Sequence, residues 1–107
     1  MSSSSGFQYV CKVADIPEGA AKMVAVNDRM IGVYHVNGKF YALANECPHA
    51  GASLAHGIIE GDTVSCRIHH WRFSICSGMY LDEETDRYDL GTFEIRVEGD
   101  DVSVRTE

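Results

Sequence analysis

At 107 residues the chain has room for one small domain and no second hydrophobic core. Sixteen acidic residues against nine basic ones give a net charge of −7 with histidines neutral, which disfavours nucleic acid and anionic membrane surfaces as partners. No apolar run reaches membrane-spanning length, and the hydrophobic (45%) and charged (23%) fractions are those of a globular chain rather than a disordered one.

The start, Met1-Ser2-Ser3-Ser4-Ser5-Gly6, has neither the basic nor the apolar segment of a secretory leader. Residues 1–6 are expected to be a disordered tail, residues 7–107 the domain, and the protein cytoplasmic in a reducing compartment. There, four cysteines suggest metal or redox chemistry more than a disulfide framework.

Strand signals dominate. Phe7, Tyr9, Cys11 and Val13 alternate with other residues as a half-buried strand would, and Asp15-Ile16-Pro17-Glu18-Gly19 then breaks the pattern with turn chemistry. Residues 22–26 read as a second strand and Asn27-Asp28 as a turn. Residues 30–36 and 39–44 are rich in β-branched and aromatic side chains. They are joined by Asn37-Gly38, a strong hairpin signal because both positions accept positive φ. Near the end, residues 92–98 and 101–105 flank Gly99-Asp100, a further hairpin. Between these strand-rich ends, roughly residues 45–80 hold three of the four cysteines and four of the five histidines, with no sustained helical period. At most residues 50–55 form a short turn of helix. The expected architecture is all-β: antiparallel sheets carrying a small, loop-built site.

That site segment contains Cys47-Pro48-His49 and, after sixteen intervening residues, Cys66-Arg67-Ile68-His69. Each half offers one thiolate and one imidazole to a common centre. Thiolates hold ferric iron strongly, whereas neutral imidazoles donate less charge and raise the reduction potential. Zinc also accepts two Cys and two His, but its usual finger spacing pairs like with like and adds a helix. A nucleophilic cysteine would need one activated thiolate with an oriented base, which two symmetric boxes explain less well.

The paired boxes resemble those of Rieske proteins, specifically the Rieske-type ferredoxins. The similarity runs along nearly the whole chain, through Asp15–Gly19, Gly38-Lys39-Phe40-Tyr41-Ala42, Leu54 with Gly57, and Phe73 with Gly78. The resemblance implies the Rieske iron-sulfur fold with a cluster-binding subdomain at about residues 45–80. It also implies one [2Fe-2S] cluster, with Cys47 and Cys66 on one iron and His49 and His69 on the other. Respiratory-chain members carry an additional cysteine in each box, joined as a disulfide, and a serine whose hydroxyl bonds a cluster sulfide. Here Ala52, Ile68 and Trp71 stand at those places, so a potential toward the low end of the Rieske span of about −150 to +300 mV is expected. The family's usual proline after the second-box cysteine and glycine after its histidine are Arg67 and His70. His70 is read as exposed and nonligating.

Cys11 is read as a small core residue and Cys76 as structural; His35 and His56 have no ligand partner at a recognisable spacing. Asp82-Glu83-Glu84 is read as a solvated charge run. What the resemblance implies functionally is a carrier, not an enzyme, that takes single electrons from a flavin-containing reductase and passes them to a terminal oxygenase. The alternatives are a small subunit that works with the large subunit of an NAD(P)H-dependent nitrite reductase, and a zinc-stabilised interaction module.

Overall fold

The computed structural model of the chain describes residues 6–45, 53–67, 70–82 and 88–106. Among the described residues nine strands form two antiparallel sheets. A six-stranded sheet is built from β1 (Gln8–Lys12), β2 (Ala20–Val26), β3 (Arg29–Val36), β4 (Lys39–Ala44), β8 (Thr92–Glu98) and β9 (Asp101–Arg105), in the order β1-β9-β8-β4-β3-β2. The second sheet contains only β5 (Ile58–Glu60), β6 (Thr63–Ser65) and β7 (Arg72–Ser74).

The hairpin turns follow from their residues. Asn27, Asp28, Asn37 and Gly38 all have positive φ, the condition for tight two-residue turns between β2 and β3 and between β3 and β4. The second of these turns is held by a carboxylate. Glu18 accepts the main-chain N–H groups of Asn37 (2.6 Å) and Gly38 (2.9 Å). His35 stacks on Phe40 with ring centroids 4.1 Å apart; its Nδ1 lies 2.7 Å from the Ile16 carbonyl and its Nε2 3.5 Å from Glu18. The turn at residues 15–19 is thereby fastened to the β3–β4 hairpin, and His35 is structural, as its isolation in the sequence suggests.

Two apolar cores share one wall. Ile31, Val33 and Ala42 face a core with Cys11, Val24, Val26, Val102 and Val104, inside the curl of the large sheet. Their neighbours Tyr34, Val36 and Leu43 face the opposite way, into a core with Leu54, Val64, Cys66, Phe73 and Ile75 beneath the small sheet. Alternation along β3 and β4 therefore buries both faces, which is why residues 31–34 read as an unbroken apolar run.

Two expectations are corrected. The alternation in β1 is interrupted: Tyr9 pairs with Ser103 and Cys11 with Val102, leaving Val10 as an extra residue. This bulge turns Tyr9 outward (58% exposed) while Cys11 stays in the core. The site segment is also more than loops, because three-residue strands pair from Ile58↔Ser65 to Ser65↔Arg72. Strands so short leave no readable period in sequence. Cys11 is the small core residue expected, and its burial pushes the thiol pKa up. Glu18→Ala should lower the urea unfolding free energy by about 0.5–1.5 kcal/mol, as expected for losing an acceptor shared by two turn amides.

Candidate metal centre

The stretch carrying Cys47 and His49 leaves the large sheet at the end of β4, and its neck is tied by one side chain. Asn45 is buried; its N–H donates to the Met30 carbonyl (3.1 Å) and its carbonyl accepts the Leu54 N–H (2.8 Å). Its side-chain Oδ1 accepts the Ala55 N–H (2.9 Å), and its Nδ2 donates to Ser53 Oγ (2.9 Å). Residue 45 and residues 53–55 are thus held together, so the chain departs and returns at one point. Leu54–His56 then forms a 3-10 turn with Leu54 wholly buried; it overlaps only the end of the 50–55 stretch expected to turn, of which residues 50–52 lie outside the described residues.

The second box sits on the β6–β7 hairpin. Beyond the Ser65↔Arg72 pair, the Cys66 N–H donates to the Trp71 carbonyl (2.8 Å) and the His70 N–H to the Cys66 carbonyl (2.9 Å), which closes a tight turn. Cys66 is only 1% exposed and in no disulfide. Beneath the turn, Trp71 packs against Tyr80 (4.8 Å) and Tyr88 (4.9 Å), and Tyr80 against Phe73 (5.5 Å). Of the four sequence-predicted ligands, Cys66 is described; Cys47, His49 and His69 lie outside the described residues, as do Ala52, Ile68, Glu83 and Glu84.

The two motif glycines have steric reasons. A Cβ at Gly57 would lie 2.1 Å from the Ser65 carbonyl oxygen, directly before Cys66. Gly78 has φ +77°, and a Cβ there would lie 2.5 Å from the Leu90 carbonyl oxygen. Both allow the main chain supporting the site to pack at a distance no side chain permits.

The described residues of the second box and those flanking the first fit a metal-binding group. Cys66 offers a buried, uncommitted thiol, and the neighbouring chain segments are braced against each other. Arg67 makes one brace, its Nε donating to the His56 carbonyl (2.5 Å) from the second box to the segment after the first. A family model described as "Rieske [2Fe-2S] domain" matches residues 6–94. The chain belongs to the Rieske [2Fe-2S] domain family. Its cofactor is one [2Fe-2S] cluster.

Relatives share this span. The chain is 36% identical over 93 residues to the ferredoxin component of the naphthalene 1,2-dioxygenase/salicylate 5-hydroxylase systems of Ralstonia sp., covering 87% of this chain and 88% of that protein. It is 38% identical over 98 residues to the 3-phenylpropionate/cinnamic acid dioxygenase ferredoxin subunit of Escherichia coli K12, covering 90% of each. Among solved structures, a chain from a complex of reduced oxygenase and oxidized ferredoxin in carbazole 1,9a-dioxygenase superposes with a TM-score of 0.85 at 33% identity, over 95% of this chain and 94% of that one. A protein assigned as a nitrite reductase (NADPH) small subunit shares the fold, with a TM-score of 0.78 at 21% identity over 92% and 96%.

The remaining candidates separate cleanly. Cys76 is exposed at the end of β7 away from Cys66, where its hydrogen bond raises the Tyr41 hydroxyl pKa. Glu83 and Glu84 lie outside the described residues; Asp82 is exposed, as a solvated charge run would be, but it also carries a fixed contact. It accepts the Arg72 N–H (2.9 Å) and Nε–H (2.8 Å), which pins the strand that follows the second box. Desolvation pushes its carboxyl pKa up, but these bonds and the Arg72 charge outweigh that and hold it below the ordinary value. His70 is exposed with φ +60°, a left-handed conformation that suits the glycine usual at this place in the family. Sequence reasoning missed Asn45, and it gave Arg67 only as a departure from the family's proline; neither residue type announces such a role.

A carboxyl whose pKa is depressed in the folded state contributes stability above its unfolded pKa and loses it as pH falls through the folded value. Asp82→Asn should therefore be less stable than wild type at pH 7, with the gap closing in acid-titration unfolding below about pH 4. His70→Gly should raise stability by about 0.5–1 kcal/mol by removing left-handed strain. It should leave the reduced-state EPR spectrum intact; loss of that spectrum would make His70 a ligand.

Proposed function

We propose that this chain is a Rieske-type ferredoxin, a cytoplasmic electron carrier that receives single electrons from a flavin-containing reductase and delivers them to a terminal oxygenase. The observation that carries the reading is the near end-to-end match to dioxygenase ferredoxin components, which extends over about nine-tenths of both chains. The fold likeness to a nitrite reductase small subunit, at 21% identity, does not favour that alternative.

In this reading Cys47 and Cys66 hold one iron, His49 and His69 the other, and residues 7–107 form the single domain. When bound, the cluster supplies a reversible one-electron couple whose potential is raised by imidazole ligation. The protein's share is to keep the ligands in one arrangement in both redox states. Asn45 fixes the ends of the first loop, Asp82 holds Arg72 behind the second, and the aromatic group of Trp71, Phe73, Tyr80 and Tyr88 excludes water below it. Among the described residues no helix is long and apolar enough to cross a membrane. The excess of acidic side chains suits a basic docking face on the partner.

Purified protein should be brown, show a Rieske-type EPR signal when reduced, and titrate at the low end of the span from about −150 to +300 mV. Cys66→Ser should abolish that signal. A colourless protein containing one zinc would overturn the reading, as would a reduced protein that no terminal oxygenase reoxidises in stopped-flow mixing. A midpoint well above zero would contradict the low-potential assignment alone.

A further inference from the structure

Three contacts converge on one hydroxyl outside the ligand set. Ser53 Oγ lies 2.9 Å from Asn45 Nδ2, 2.8 Å from His56 Nδ1 and 3.8 Å from Met23 Sδ. A hydroxyl has one hydrogen to donate and two lone pairs with which to accept, so the direction of each contact follows. The Ala55 N–H can only donate, which fixes Asn45 Oδ1 as its acceptor and turns Nδ2 toward Ser53 as a donor. The Met23 sulfur can only accept. One arrangement satisfies all three partners: Ser53 donates to Met23 and accepts from Asn45 and from a proton on His56 Nδ1. With that proton on Nε2 instead, Nδ1 and the sulfur would compete for the single Ser53 hydrogen.

His56 also acts through its main chain. It ends the 3-10 turn that follows the first loop, where its N–H meets the Ser53 carbonyl (3.3 Å), and its own carbonyl accepts Arg67 Nε–H (2.5 Å). The ring therefore grips the neck where the first loop returns, while the carbonyl holds the residue that follows Cys66. Ser53 carries the grip to Met23 on β2 and to Asn45 at the end of β4. The pattern of Leu54 with Gly57 leaves residue 56 unspecified, so the histidine is this chain's own.

We propose that His56 is a positioning residue of the metal centre, in the Nδ1–H tautomer. Its ring ties the neck of the first loop to β2 and β4, and its carbonyl ties that neck to the second box. Its part in holding a cluster rests on the function proposed above; its tautomer and its link to Ser53 do not.

The test compares wild type with His56→Asn and His56→Leu as oxidised holoproteins. His56 is exposed, so both variants should fold. Asparagine carries its amide nitrogen as far along the side chain as Nδ1 and can restore the donor, whereas leucine fills space without one. Side-chain nitrogen NMR at alkaline pH, with the His56 signals identified by their absence from His56→Asn, should show the proton on Nδ1. Cluster release to an iron chelator should be about two- to tenfold faster in His56→Leu, as expected for one lost hydrogen bond, and near wild type in His56→Asn. Hydrogen exchange of the Leu54 and Ala55 amides, both bonded to Asn45, should rise in His56→Leu and not in His56→Asn. A proton on Nε2 overturns the proposal. So do equal release and exchange in all three proteins, or an asparagine variant that behaves like the leucine one. A colourless wild-type protein would instead refute the cluster reading, and the tautomer and exchange rates would still decide the link.

Discussion

The structure depends on a strand pair buried on both faces. β3 and β4 send Ile31, Val33 and Ala42 into the curled sheet and Tyr34, Val36 and Leu43 into the core under the small sheet. A three-stranded sheet with three-residue strands is too small to hold its own shape in water. It gains stability by setting Val64, Cys66, Phe73 and Ile75 against this shared wall. A small domain buries a modest fraction of its surface, and one wall serving two cores makes economical use of it.

The metal centre inherits its rigidity from that wall. Asn45 is the first residue after β4, and its four hydrogen bonds transmit the register of the large sheet to the segment after the first loop. The second loop takes its position from the β6–β7 pairing, closed by Cys66 and Trp71 and backed by Asp82 on Arg72. The Arg67 bond to the His56 carbonyl then connects the two sides. Respiratory members of the family, by the resemblance of their boxes, join the loops through a disulfide. Here, among the described residues, a hydrogen bond from an exposed guanidinium spans from one side to the other. It is reversible and does not depend on the redox state of any thiol.

Departures from the family pattern have local costs and local answers. His70 occupies a left-handed position, and the turn is still closed by its N–H on the Cys66 carbonyl. Arg67 replaces a stiff proline with a side chain that makes a contact proline cannot make. Gly57 and Gly78 keep to the pattern because carbonyl oxygens of Ser65 and Leu90 occupy the space a side chain would need.

The sequence by itself determined the cofactor class, the family and most strands of the large sheet. Mixed Cys/His boxes are a chemical requirement, and the turns at Asn27-Asp28 and Asn37-Gly38 are local backbone preferences, both visible without tertiary contacts. It did not reveal the small sheet, the bulge at Val10 or the roles of Asn45, Glu18 and Asp82. Three-residue strands have no period, a bulge is settled by the partner strand, and a polar side chain's role depends on which distant main-chain groups fold against it. The candidate ligands are legible in the chain because chemistry selects them one residue at a time. The frame that steadies them was decided only in three dimensions, because burial of both faces of β3 and β4 is a property of what packs on each side.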